Sequence, residues 1–109
     1  MPLRPFRRTV SAVGASELIN VDRAPTPTCI GFAVVLSPGA SLTYTVEHTF
    51  DDIDAPGFTP ASATWFPHED IVNQTVNADG NYAFPCSAIR LNVTVRTAGS
   101  ATLILHQAG

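Results

Sequence analysis

Ser41-Leu42-Thr43-Tyr44-Thr45-Val46-Glu47-His48-Thr49-Phe50 alternates apolar or aromatic with polar side chains along its whole length. A side-chain period of two marks a β-strand with one face buried and the other solvated. Leu42, Tyr44, Val46, His48 and Phe50 are expected to face a core, with Ser41, Thr43, Thr45, Glu47 and Thr49 on the far side. Ala88 to Thr97 repeats the pattern, setting Ile89, Leu91, Val93 and Val95 against Arg90, Asn92, Thr94 and Arg96. Ala98-Gly99-Ser100 then leads into Ala101 to His106. A three-residue connection with a glycine predicts a C-terminal hairpin there.

Working outward, Thr28 to Leu36 is a continuous apolar run rich in β-branched residues, which predicts a strand buried on both faces. Ser37-Pro38-Gly39 turns it into the Ser41 strand. Arg7 to Val13 and Glu17 to Asp22 read as shorter strands separated by Gly14, and Ile71 to Asn77 pairs with Asn81 to Phe84 through a turn at Ala78-Asp79-Gly80. No window holds a helical period, and nine prolines are spread along the chain. Seven or eight short strands in 109 residues predict an all-β, single-domain β-sandwich of jelly-roll or Greek-key type spanning residues 1–109. Three segments are expected outside the sheets. Residues 1–8 form an extended arm, Arg23 to Thr28 a polyproline-like stretch, and residues 51–70 a long loop rich in proline and aromatic residues.

Composition narrows the function classes. Charged residues are 14% of the chain and hydrophobic ones 45%, too apolar for a disordered polymer. No apolar run approaches the ~20 residues of a membrane helix. Arg4, Arg7 and Arg8 are not followed by the apolar stretch of a secretion signal, so synthesis in a cytoplasm is expected. A formal net charge of −3 argues against nucleic acid as a partner. All six basic residues are arginine, whose planar, weakly hydrated fork suits interfaces. Cys29 and Cys86 permit one bridge at most, and two separate thiols in apolar strands are expected instead.

No catalytic or metal-binding pattern stands out. Glu47, Asp51, Asp52 and Asp54 could surround calcium, but the run into Ala55-Pro56 breaks the required ligand spacing. His48, His68 and His106 share no zinc spacing, with His68 placed on a polar loop and the others on strands. No nucleophile elbow and no phosphate-cradling glycine loop is present, so neither an enzyme nor a bound cofactor or metal is expected. The better lead is Phe58, Trp65 and Phe66 in the 51–70 loop, because large aromatics anchor protein interfaces. The same Trp65-Phe66-Pro67 could instead fold back as a plug over an open end of the sandwich. Arg4, Phe6, Arg7 and Arg8 on the N-terminal arm form a second candidate contact.

Four segments carry a resemblance to a known group. They are Tyr44-Thr45-Val46-Glu47-His48-Thr49-Phe50-Asp51-Asp52, Ala63-Thr64-Trp65-Phe66-Pro67-His68, Asn77-Ala78-Asp79-Gly80-Asn81-Tyr82-Ala83-Phe84-Pro85 and Ala88-Ile89-Arg90-Leu91-Asn92-Val93, with Leu105-His106-Gln107-Ala108-Gly109 at the end. Over roughly residues 40–109 the chain resembles tailed-bacteriophage capsid decoration, or cement, proteins. The resemblance implies a compact β domain bound in many copies to the outer surface of a virion capsid. It also implies the major capsid protein and a second copy of the chain, as dimer or trimer, for partners. The contact residues named above come from the residues themselves, since the resemblance supplies no interface map. A tail- or neck-associated module binding a receptor or glycan is the first alternative, and a small hydrolase or cupin-like enzyme the second.

Overall fold

The computed structural model describes residues 6–20, 29–82 and 86–108. Among the described residues, nine strands form two antiparallel sheets packed face to face: β1 (Phe6–Val10), β2 (Gly14–Ala15), β3 (Ile19–Asn20), β4 (Cys29–Leu36), β5 (Ser41–Thr49), β6 (Trp65–Pro67), β7 (Ala78–Tyr82), β8 (Ala88–Ala98) and β9 (Ala101–Ala108). One sheet has the order β1-β9-β4-β7. The other runs β2-β8-β5-β6, with β3 also paired to β8. Taking β2 and β3 as one interrupted strand, each step along the chain changes sheet except β5 to β6. That connectivity is a jelly roll, the more specific of the two expected forms.

The core follows the alternation. Leu42, Tyr44 and Val46 from β5 and Ile89, Leu91 and Val93 from β8 meet Ile30, Phe32 and Val34 from β4 and Leu103 and Leu105 from β9. All are at most 4% exposed, and each such aliphatic side chain contributes about 1.5–3 kcal/mol. Val95 breaks the pattern. Thr43 lies opposite Val95 but Tyr44 opposite Val93, so Thr94 is an extra residue in β8. A β-bulge of this kind reverses the faces beyond it, and Val95 ends 58% exposed. Phe50 lies one residue past the end of β5 and is 55% exposed rather than in the core.

The expected C-terminal hairpin is replaced by an arch. β8 and β9 belong to different sheets and do not pair. The chain crosses from one layer to the other at Gly99, beside a second arch that carries β4 into β5. The arches are tied by the Ser37 N–H donating to the Ser100 carbonyl (2.9 Å) and the Ser100 N–H donating to Ser37 Oγ (2.9 Å). Gly99 has φ +82°, and a Cβ there would sit 2.5 Å from Ala40 Cβ. Both facts require glycine at the crossing.

Three further expectations are corrected. Ala78-Asp79-Gly80 is no turn but the body of β7, paired with β4 so that Asp79 lies opposite Ala33 and Gly80 opposite Phe32. Gly80 is there because an added Cβ would come within 3.0 Å of the Phe32 ring. Gly14 lies within β2 rather than between strands. β4 is buried on one face only, since Val35 is 42% exposed. Residues 1–5, the Arg23 to Thr28 stretch, the end of the strand expected over Glu17 to Asp22 and that of the one over Asn81 to Phe84 lie outside the described residues.

Candidate interaction surface

The open end of the sandwich beside β6 holds a graded cluster of rings. His48 on β5 shares a hydrogen bond with the Tyr82 hydroxyl on β7 (Nδ1 to Oη, 2.9 Å), which ties the two sheets across the core. His68 and Tyr82 meet edge to face at 4.9 Å, and His68 packs likewise on Phe32 at 5.2 Å. His68 Nε2 donates to the Asn81 carbonyl (2.9 Å) while its Nδ1 accepts from the Asp70 N–H (3.1 Å) and the Ile71 N–H (3.3 Å). Those partners fix which ring nitrogen donates and which accepts. The loop-borne polar His68 of the sequence reading is therefore a buried structural residue, 6% exposed.

Outward from this buried layer come Phe66 and Phe50. Phe66 lies opposite His48 in the β5–β6 ladder and stacks on it at 6.0 Å. Phe50 meets His48 edge to face at 5.4 Å and Phe66 at 6.0 Å. Phe66 and Phe50 are 46% and 55% exposed. Large apolar rings held open to solvent by a rigid layer beneath are what an interface anchor requires. Burial pushes the Tyr82 hydroxyl far above its ordinary pKa and the Tyr44 hydroxyl up to about 12. Burial, then the neighbouring His68, push His48 down. Each of the three groups favours its neutral form where burial takes it out of water.

The site residues chosen from sequence divide. Phe66 stands in the cluster, on strand β6 rather than on a loop. Trp65, its neighbour, points to the opposite face of the sheet because side chains alternate. There it covers Arg90, whose guanidinium carbon lies 4.1 Å from the ring centroid, and its Nε1 donates to the Pro60 carbonyl (2.9 Å). Arg90 in turn pairs with Glu47 at 2.8 Å. Trp65 thus covers a sheet rather than plugging an end. Phe58 is half-buried on the excursion between β5 and β6. Phe6, Arg7 and Arg8 are in edge strand β1, paired with β9, so the expected arm is sheet from Phe6 onward. Arg4 lies outside the described residues. The structure does not bring β1 into the aromatic cluster.

Phe50 was missed as a surface residue. Its place in the alternation assigned it to the core, and the end of β5 at Thr49 is a tertiary fact. Nearby, a polar depression of about 350 Å³ is lined by His68, Glu69, Asp70, Asp79, Gly80 and Asn81. No group of three or more His, Cys, Asp and Glu among the described residues converges as a metal site. Comparison with protein-family models, curated proteins and solved structures found no match to this chain.

Proposed function

We propose that this chain is a structural virion protein that binds and stabilises the outer surface of a bacteriophage capsid, acting through protein–protein contacts and without catalysis. The exposed Phe50–Phe66 pair, backed by the His48–Tyr82 bridge, is the observation that carries the assignment to surface binding. The sequence resemblance over roughly residues 40–109 supplies the identity of the surface. On a capsid, a modest contact repeats over many identical subunits, so weak binding per copy suffices when an oligomer engages several at once. A stiff two-layer β body suits that role.

The test has two parts. Quantitative mass spectrometry of purified virions is expected to find about one-third to one copy per major capsid subunit, as symmetric decoration demands. Phe50→Ala with Phe66→Ala is expected to abolish co-sedimentation with capsids while leaving circular dichroism unchanged. Absence of the chain from particles would overturn the proposal. A handful of copies per particle would instead favour the receptor- or glycan-binding module, for which the polar depression at Asp79 and Asn81 offers carboxylate and amide groups beside the His68 ring.

A further inference from the structure

The outer face of the β1-β9-β4-β7 sheet carries no covering segment among the described residues, and its pattern matches a second copy of itself. The strand registers place its side chains in three rows. One row reads Thr9, Thr102, Val35. The next reads Arg7, Ile104, Ala33, Asp79. The third reads His106, Gly31, Asn81. The interior of the patch holds no Asp, Glu, Lys or Arg, while the middle row ends in a cation on one edge strand and an anion on the other. Arg7 and Asp79 are both exposed, and neither has an ion-pair partner among the described residues.

Gly31 is the second observation. It sits mid-strand in β4, between two hydrogen-bonded neighbours, with a backbone any residue can adopt and no atom within 4 Å of where a Cβ would lie. Glycine inside a strand costs about 0.5–1 kcal/mol relative to alanine. Gly80 and Gly99 are each explained by a close contact within the chain, and Gly31 is not. An unexplained strand glycine marks the approach of something from outside.

From these features we infer that two copies pack through this face about a two-fold axis parallel to the strands, midway between β9 and β4. That operation exchanges the sheet edges and keeps each row at its own height. Arg7 then faces the partner's Asp79, and Ile104 faces the partner's Ala33. His106 faces the partner's Gly31, so the larger ring lies over the residue with no side chain. A two-fold axis drawn across the strands through the middle row would instead stack Arg7 on Arg7, which like-charge repulsion disfavours. The pairing is isologous and closed, with the near-aligned sheet packing common in sandwiches. It gives the self-association that the resemblance implies a surface, yet stands independently of shell binding.

Four strands about 4.8 Å apart and three rows about 7 Å apart span roughly 400 Å² per copy. Counting both copies, that is about 800 Å², below the roughly 1,200 Å² at which standard interfaces begin, so only a weak, concentration-dependent dimer is expected. Sedimentation velocity of the full chain from a few micromolar to several hundred micromolar reads it directly. Gly31→Val is expected to weaken the dimer at least about tenfold, with unchanged circular dichroism and a monomer thermal midpoint no lower than that of the native chain, because a Cβ at this site meets nothing within 4 Å. Arg7→Asp and Asp79→Arg should each weaken it, and the double exchange should restore it. A monomer at every concentration, or an oligomer indifferent to Gly31→Val and to the charge exchange, would overturn the inference.

Discussion

The two outer faces of this sandwich are finished in different ways. On the β2-β8-β5-β6 sheet the chain covers its own surface. Trp65 lies over Arg90, Arg90 pairs with Glu47, and Asn92 Nδ2 donates to the other Glu47 oxygen at 3.4 Å. Thr49 Oγ1 donates to the Thr64 carbonyl (2.8 Å), and the Thr64 N–H donates to Asp51 Oδ2 (2.9 Å), folding the excursion back over the sheet. Thr49 is consequently buried although it sits on the nominally outward side, and Thr45 is buried there against Asn73, whose N–H donates to its Oγ1 (3.0 Å). The β1-β9-β4-β7 sheet has no such cover among the described residues, and its outward residues are threonine, aliphatic groups, Gly31, His106 and Asn81, with one charge on each edge strand. The excursion after β5 does for one face what a second copy would do for the other in the proposed dimer. A sheet with its own cover gains little from a partner, whereas a bare, uncharged face gains from association.

Breaking the framework that both faces share should have the largest effect. Gly99→Val forces a β-branched residue to positive φ and drives its side chain into Ala40, so a loss of about 3 kcal/mol or more is expected in urea unfolding. Removing the self-made cover comes next. Trp65→Ala should cost about 1–2 kcal/mol through lost packing and the lost cation–π contact. Ile104→Ala on the bare face, measured at low concentration, should cost only about 0.5 kcal/mol. Equal losses at the two positions would erase the distinction between the faces.

Acidification probes the sheet-to-sheet bridge. The pKa of His48 is lowered in the folded state, chiefly by burial, so the unfolded chain takes up a proton more readily. The stability it contributes is complete above the ordinary histidine pKa of about 6.5 and declines as pH falls below it. Urea midpoints are expected to drop between pH 7 and pH 5, and less steeply in His48→Gln. The smallest effect belongs to Gly31→Ala, which should stabilise the monomer by about 0.5–1 kcal/mol, since the site holds open space and ordinary backbone. A loss of stability there would mean that the glycine serves the fold rather than a partner.

Much of the fold was legible because burial leaves a periodic trace. Residues 41–49 and 88–93 have one face in the core and one outside it, so their alternation reported their structure directly. Where local patterns serve two geometries, reading failed. Ala98-Gly99-Ser100 suits a hairpin or an arch equally, because both need a left-handed glycine between two alternating strands. Which one forms depends on whether the strands hydrogen-bond edge to edge or face each other across layers. Asp79-Gly80 has the composition of a turn, yet the glycine answers to the Phe32 ring on another strand. Phe66 was recognisable as a surface aromatic from its type and neighbourhood, while Phe50 was hidden by an alternation that outran its strand.

The order of polar and apolar residues by itself determined an all-β chain, its main strands and most of its core, since side-chain direction in a strand is a local consequence of backbone geometry. Only the tertiary structure decided that β8 and β9 lie in different layers, that Phe50 and Phe66 share one open end, and that Arg7 and Asp79 terminate the same row. Those are juxtapositions between residues far apart in the chain, set by strand pairing and sheet packing, and no local spacing encodes them.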